Sequence, residues 1–175
     1  MNMVLYGDSF LGRFGKDLID QLEHELDNFT VYNCAAGGWN TSDLVSRAQY
    51  ISRLHPEYVV LSFGANDVAP WKNVITIDAF ADNVEKILSS FSGTKIIMLK
   101  CPDVDLHDKE QMNEFNSSLK TYYHSVENMF ESVGVRVIET NILFEGLDEY
   151  HEDDGLHVNK LGYDKIIQKM SELVY

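Results

Sequence analysis

The feature that most constrains this chain is a regular alternation. Short, unbroken apolar runs are separated by longer stretches in which apolar residues recur at every third or fourth position. Met3-Val4-Leu5-Tyr6 is the first run, closed by Gly7, and a run without polar alternation suits a strand buried on both faces. Leu18, Ile19, Leu22 and Leu26 follow at helical spacing with charges between them. Residues 29–32 read as a second strand, closed by Asn33 and the Gly37-Gly38 pair. Thr41-Ser42-Asp43 offers N-caps for a helix that ends before Pro56. Tyr58-Val59-Val60-Leu61 is the clearest buried strand, ending at Gly64. A helix over 78–90 places Phe80, Val84, Ile87 and Leu88 on one face. Residues 95–99 form a fourth strand, 109–132 a long helix ended by Gly134, and 135–138 a fifth strand. An acidic loop over 141–158 leads to a final helix over 159–173. Five strands alternating with helices predict an α/β protein with a parallel sheet covered on both faces. Right-handed crossovers make it a three-layer α/β/α sandwich with a five-stranded, flavodoxin-like sheet.

The chain has 175 residues and no internal repeat, so a single domain over 1–175 is expected. Hydrophobic residues make up 45% of it, enough for a core without staples. Its 14 basic and 28 acidic residues leave a net charge of −14. A surface that acidic repels phosphate backbones and anionic headgroups, so neither a nucleic acid nor a membrane is expected as a partner. Cys34 and Cys101 stand in no CxxC pair, which suits two reduced thiols. No apolar run approaches the roughly 20 residues of a membrane span. The N-terminus lacks the basic and apolar regions of a signal peptide, and a cytoplasmic location is the expectation.

In open α/β sheets ligands bind beyond the carboxyl ends of the strands. Four short motifs stand there or in the late loop: Gly7-Asp8-Ser9, Asn33…Gly38, Gly64-Ala65-Asn66-Asp67 and Asp154-Gly155-Leu156-His157. Each is weak alone. Together, in this order, they resemble the four blocks of the SGNH (GDSL-like) hydrolase family, over nearly the whole chain. The resemblance implies that fold, ester hydrolysis, a serine nucleophile at Ser9, and an Asp154-x-x-His157 pair acting as orienter and base. It also implies an oxyanion hole of the Ser9 N–H, the Gly38 N–H and the Asn66 side-chain amide, Gly38 being chosen over Gly37 by counting from Asn33. Phe10 stands where the family name expects Leu, and the second block carries Trp39 and Asn40 where many relatives have small residues.

The residue types suit the chemistry. A serine hydroxyl is a weak nucleophile until a base takes its proton, and neutral imidazole titrates near working pH. The imidazole needs its tautomer fixed, which a carboxylate provides. Asp153 or a backbone carbonyl could serve in place of Asp154. An oxyanion needs preorganised donors, and glycine lets its backbone approach closely. Other readings stand beside these. Ser9 could be a plain N-cap, and Asp8 and Asp67 suit fasteners of loop amides. His151, Glu152, Asp153, Asp154 and His157 could be read as a metal cluster, but lack a recognised spacing. Trp39 and Trp71 suit walls of the substrate pocket and plain packing equally. The expectation is an esterase for short acyl groups, such as acetyl on a glycan, using an acyl-enzyme and no metal or cofactor. A lysophospholipase or thioesterase and a non-catalytic binding domain are the rivals.

Overall fold

The computed structural model describes all residues, 1–175. Its elements, in chain order, are β1 (Asn2–Gly7), α1 (Ser9–Gly12), α2 (Lys16–Glu25), β2 (Thr30–Asn33), α3 (Thr41–Ser52), β3 (Tyr58–Ser62), α4 (Ala65–Val68), α5 (Ile77–Ser90), β4 (Lys95–Leu99), α6 (Lys109–Val133), β5 (Arg136–Ile138), α7 (Thr140–Leu143) and α8 (Lys160–Val174). The five strands form one sheet in the order β2-β1-β3-β4-β5, every neighbouring pair parallel. Helices α2 and α8 pack together on one face, and α3, α5 and α6 pack in series on the other. This is the three-layer sandwich that the alternation predicts. No helix is long and apolar enough to cross a membrane.

The apolar runs are strands because both of their faces are covered. All five residues of β3 are buried, as are Met3 through Gly7 of β1. The helical stripes turn onto them: Phe80, Val84, Ile87 and Leu88 of α5 are buried, as are Phe115, Leu119, Tyr123, Val126 and Phe130 of α6. The expected boundaries hold to within a few residues. Asn40 makes the capping box of α3, and Gly134, at φ +71°, closes α6. Three short helices, α1, α4 and α7, were not expected. Each lies directly beyond a strand end, where tertiary contacts rather than a periodic pattern hold a single turn.

The strand order puts β1 in the middle of the site-bearing edge, between β2 and β3. Gly7 stands opposite Ser62 in the β1–β3 register. A Cβ at Gly7 would lie 2.2 Å from the Ser62 carbonyl oxygen and 2.7 Å from its nitrogen. Backbone atoms on a central strand cannot give way, so a methyl group must part the strands. Gly7→Ala should therefore cost about 3 kcal/mol or more, the upper end of overpacking costs. A clearly lowered midpoint in urea unfolding is expected, and an unchanged midpoint would show that the sheet yields here.

Candidate active site

The site is built where β1, β2 and β3 end. Beyond Gly7 the chain turns sharply, and Asp8 caps α1 by accepting a hydrogen bond from the Phe10 amide at 3.1 Å. The cap is Asp8, so Ser9 is free of that duty and opens the helix with its hydroxyl half-buried at the surface. The Asp8 carboxylate, fully buried, also accepts the Ser62 hydroxyl at 2.8 Å, which fastens this turn to β3. Asp67 does the same one strand over. It accepts the Thr41 amide at 3.0 Å, the Thr41 hydroxyl at 2.5 Å and the Gly64 amide at 3.2 Å. Asn33 ties the second block to the first, donating to the Leu11 and Phe14 carbonyls and accepting the Ala35 amide. Asp8 and Asp67 thus hold loop backbone, the structural role the sequence suggested for them.

The loop after β5 reaches back over this edge. It is more ordered than a bare loop, because α7 opens it and hydrogen bonds close it. Glu152 N–H donates to the His157 carbonyl, Asn159 N–H to the Tyr150 carbonyl, and Gly155 N–H to the Glu152 carbonyl, all between 2.8 and 2.9 Å. Gly155, at φ +64°, lies so close to Asp105 that a Cβ would fall 2.0 Å from its carbonyl oxygen. Within this loop the Asp154-x-x-His157 spacing lets one carboxylate hold both the backbone and the ring. Asp154 Oδ1 accepts the Leu156 and His157 amides at 2.9 and 2.8 Å. Its Oδ2 accepts from His157 Nδ1 at 2.5 Å. Partial burial opposes the charged carboxylate, but the hydrogen bonds from the His157 ring and the two amides outweigh it and draw its pKa down to about 2.

A carboxylate can only accept, so His157 Nδ1 carries the proton and Nε2 presents a lone pair. That lone pair faces the Ser9 hydroxyl at 3.0 Å, across 148 residues of sequence. Ser9, His157 and Asp154 therefore form one hydrogen-bonded chain that can move a proton off the serine. Asp153 makes no such contact. His151 turns elsewhere, its Nε2 standing 2.9 Å from the Asp103 carbonyl.

The chain opens into a cleft of about 370 Å³ lined by Ser9, Gly37, Gly38, Asn66, Trp71 and His157 among others. The backbone N–H groups of Ser9 and Gly38 donate to no protein acceptor. The Asn66 amide donates one hydrogen to the Trp39 carbonyl at 2.8 Å, leaving its second available. Gly38 has φ +84°, a conformation that glycine adopts without strain. The expectation for the two tryptophans divides. Trp71 lines the cleft, its ring stacked on Phe115 at 5.7 Å with the planes 5° apart. Trp39 does not line it. Its ring lies under the Arg47 guanidinium and edge-on to Tyr6, so it packs, and only its carbonyl faces Asn66. The sequence reading missed Arg13, Lys72 and Phe115, all of which line the cleft. Arg13 was findable, standing four residues after Ser9 on the same turn. Lys72 and Phe115 carry no sequence signal.

A parallel α/β/α sandwich with a Ser–His–Asp chain at the carboxyl edge of its sheet has the layout of a three-layer hydrolase. The sequence profile of the GDSL-like Lipase/Acylhydrolase family matches residues 5–165, and the chain belongs to that family. Comparison with curated proteins finds no match. Among solved structures, a lipase/acylhydrolase from Enterococcus faecalis superposes with a TM-score of 0.76 at 22% identity, covering 98% of this chain and 96% of that one. A catalytic mutant of an acetylxylan esterase from Geobacillus stearothermophilus gives 0.77 at 15% identity, covering 98% and 92%. A carbohydrate acetylesterase family member from Sinorhizobium meliloti gives 0.78 at 12% identity, covering 99% and 96%. At these identities the likeness is one of fold.

Asp8 also sets a pH dependence. Its Oδ2 is buried without a hydrogen-bond partner. Desolvation raises its pKa to about 6, against the lowering effect of the Ser62 and Phe10 hydrogen bonds, with Asp67 adding repulsion and His157 offsetting some of it. The folded state then takes up this proton before the unfolded state does. Stability gains from Asp8 as pH falls from 7 through about 6 to 4, by at most about 3 kcal/mol, and levels off below the unfolded pKa. Asp154 acts oppositely, its contribution being lost as pH falls from about 4 to 2. Thermal unfolding of wild type and Asp8→Asn between pH 7 and 4 is the check. The variant should show a flatter rise, and an identical slope would assign the effect to another group.

Proposed function

We propose that this chain is a serine esterase that removes short acyl groups, acetyl foremost, from a carbohydrate through an acyl-enzyme. The observation that carries the reading is the chain from Ser9 Oγ to His157 Nε2 at 3.0 Å and from His157 Nδ1 to Asp154 Oδ2 at 2.5 Å. Ser9 Oγ attacks the ester carbonyl carbon while its proton passes to His157 Nε2. The carbonyl oxygen becomes anionic and is held by the N–H groups of Ser9 and Gly38 and the free hydrogen of the Asn66 amide. Asp154 stabilises the imidazolium without taking its proton. His157 then protonates the departing alcohol oxygen, leaving an acyl group on Ser9. Water, deprotonated by His157, attacks that acyl carbon, and the carboxylic acid leaves as Ser9 recovers its proton.

Two features support the substrate class. Small residues, Gly37, Gly38, Ala65 and Ala69, line the cleft beside Ser9, which suits a short acyl group. The Trp71 ring, 46% exposed and backed by buried Phe115, offers a flat aromatic face at the rim, which suits the apolar face of a sugar ring. The acetylxylan esterase and carbohydrate acetylesterase of the same fold favour the same direction.

The test runs p-nitrophenyl esters of increasing chain length beside acetylated xylo-oligosaccharides. Acetyl esters should turn over fastest. Preference for long acyl chains would favour a lysophospholipase or thioesterase, and no turnover at all a binding domain. Ser9→Ala should lower kcat by about 10⁴-fold or more with the fold intact, and a fluorophosphonate should label Ser9. Asp154→Asn should lower kcat more than it raises KM, by no more than His157→Ala does, while Asp153→Asn stays near wild type. A crippled Asp153→Asn beside a normal Asp154→Asn would reverse the assignment of the orienter.

A further inference from the structure

The cleft holds two cations in a chain of net charge −14. Arg13 is neutralised, donating to Glu152 at 2.8 Å with Asp154 at 3.9 Å. Lys72 has no carboxylate partner. Its Nζ donates to Asn66 Oδ1 at 2.6 Å and lies 3.4 Å from the Gly38 carbonyl oxygen. These are the two residues that, with Ser9, supply the donors assigned above to the oxyanion. Lys72 is placed there by its backbone, since its N–H donates to the Ala69 carbonyl and the preceding residue, Trp71, stacks on Phe115.

An asparagine amide can occupy its site in two orientations, related by a flip that exchanges NH₂ and oxygen. At Asn66 both neighbours favour one of them. The Trp39 carbonyl accepts from Nδ2, and the Lys72 ammonium donates to Oδ1. A flip would set carbonyl against carbonyl and NH₂ against ammonium. A cation bound to the amide oxygen also draws electron density from the nitrogen, making its remaining N–H a stronger donor. We propose that Lys72 is a positioning residue for ester hydrolysis. It locks the Asn66 amide with its free hydrogen directed at the cleft, polarises that hydrogen, and braces the Gly38 turn of the same hole. The inference rests on the reading of Ser9, Gly38 and Asn66 given above. Its effect belongs to the transition state, because an anionic oxygen needs the sharpened donor more than a neutral carbonyl does.

The experiment compares wild type, Lys72→Met and Lys72→Arg with p-nitrophenyl acetate. It also follows the Asn66 side-chain NH₂ resonances in ¹⁵N–¹H spectra, assigned by their loss in Asn66→Asp. Lys72→Met should lower kcat about tenfold, less than loss of a direct oxyanion donor, with KM within about twofold. Lys72→Arg should recover most of kcat, and the Asn66 resonances should move in the Met variant and largely return in the Arg variant. Unchanged kcat in Lys72→Met, a rise in KM alone, or Asn66 resonances indifferent to the substitution would each overturn the proposal. A wild-type protein that cleaves no ester and takes up no fluorophosphonate would overturn the reading of the site. In that case the Asn66 resonances judge the Lys72 contact by themselves.

Discussion

The closeness of β1 and β3 at their carboxyl ends is the constraint on which the rest depends. Gly7 faces Ser62 there with no room for a methyl group, and the two strands emit Asp8-Ser9 and Gly64-Ala65-Asn66-Asp67 side by side. Parallel pairing makes this possible, because neighbouring parallel strands end at the same edge. Residues about 57 positions apart in sequence, the interval from Ser9 to Asn66, are thereby brought to one cleft.

Two buried carboxylates hold that edge in shape. Asp8 links the turn after β1 to Ser62, and Asp67 links the loop after β3 to the start of α3. Burial raises the pKa of both, so each costs stability when charged and is retained for the loop amides and hydroxyls it gathers. Tyr123 adds a third tie from α6, its hydroxyl donating to the Phe63 carbonyl and accepting the Cys101 amide. Loops fixed in this way can present backbone N–H groups to a cleft without those groups finding partners in the protein.

The electrostatics of the cleft run against those of the whole chain. The surface is strongly acidic, yet Arg13 and Lys72 stand at the mouth and Asp154 is masked by three hydrogen bonds from its own loop. The cleft therefore presents unpaired N–H donors and a nearby ammonium rather than the average field of the molecule. The same cleft is walled by an aromatic plate of Trp71 on Phe115, whose flatness comes from α6 lying beneath it.

Much of this was legible in the sequence, for definite reasons. Apolar runs as short and rich in β-branched residues as Tyr58 to Leu61 suit strands with both faces covered, and five of them between amphipathic stretches leave few architectures. The side chains gathered at the cleft, Ser9, Asn66 and His157 with Asp154 behind its ring, were legible as candidates because they stand in short motifs. Tertiary structure added what spacing along the chain only favoured or left open. Gly38 rather than the neighbouring Gly37 carries the positive φ, Trp39 turns inward because Arg47 and Tyr6 offer it a better surface, and Asp154 rather than Asp153 meets the ring. Lys72 and Phe115 left no trace in sequence, since a lone lysine in a loop and an apolar helix position look like any others. Their roles come from distances between segments far apart in the chain, and a sequence records spacing along the backbone but not across space.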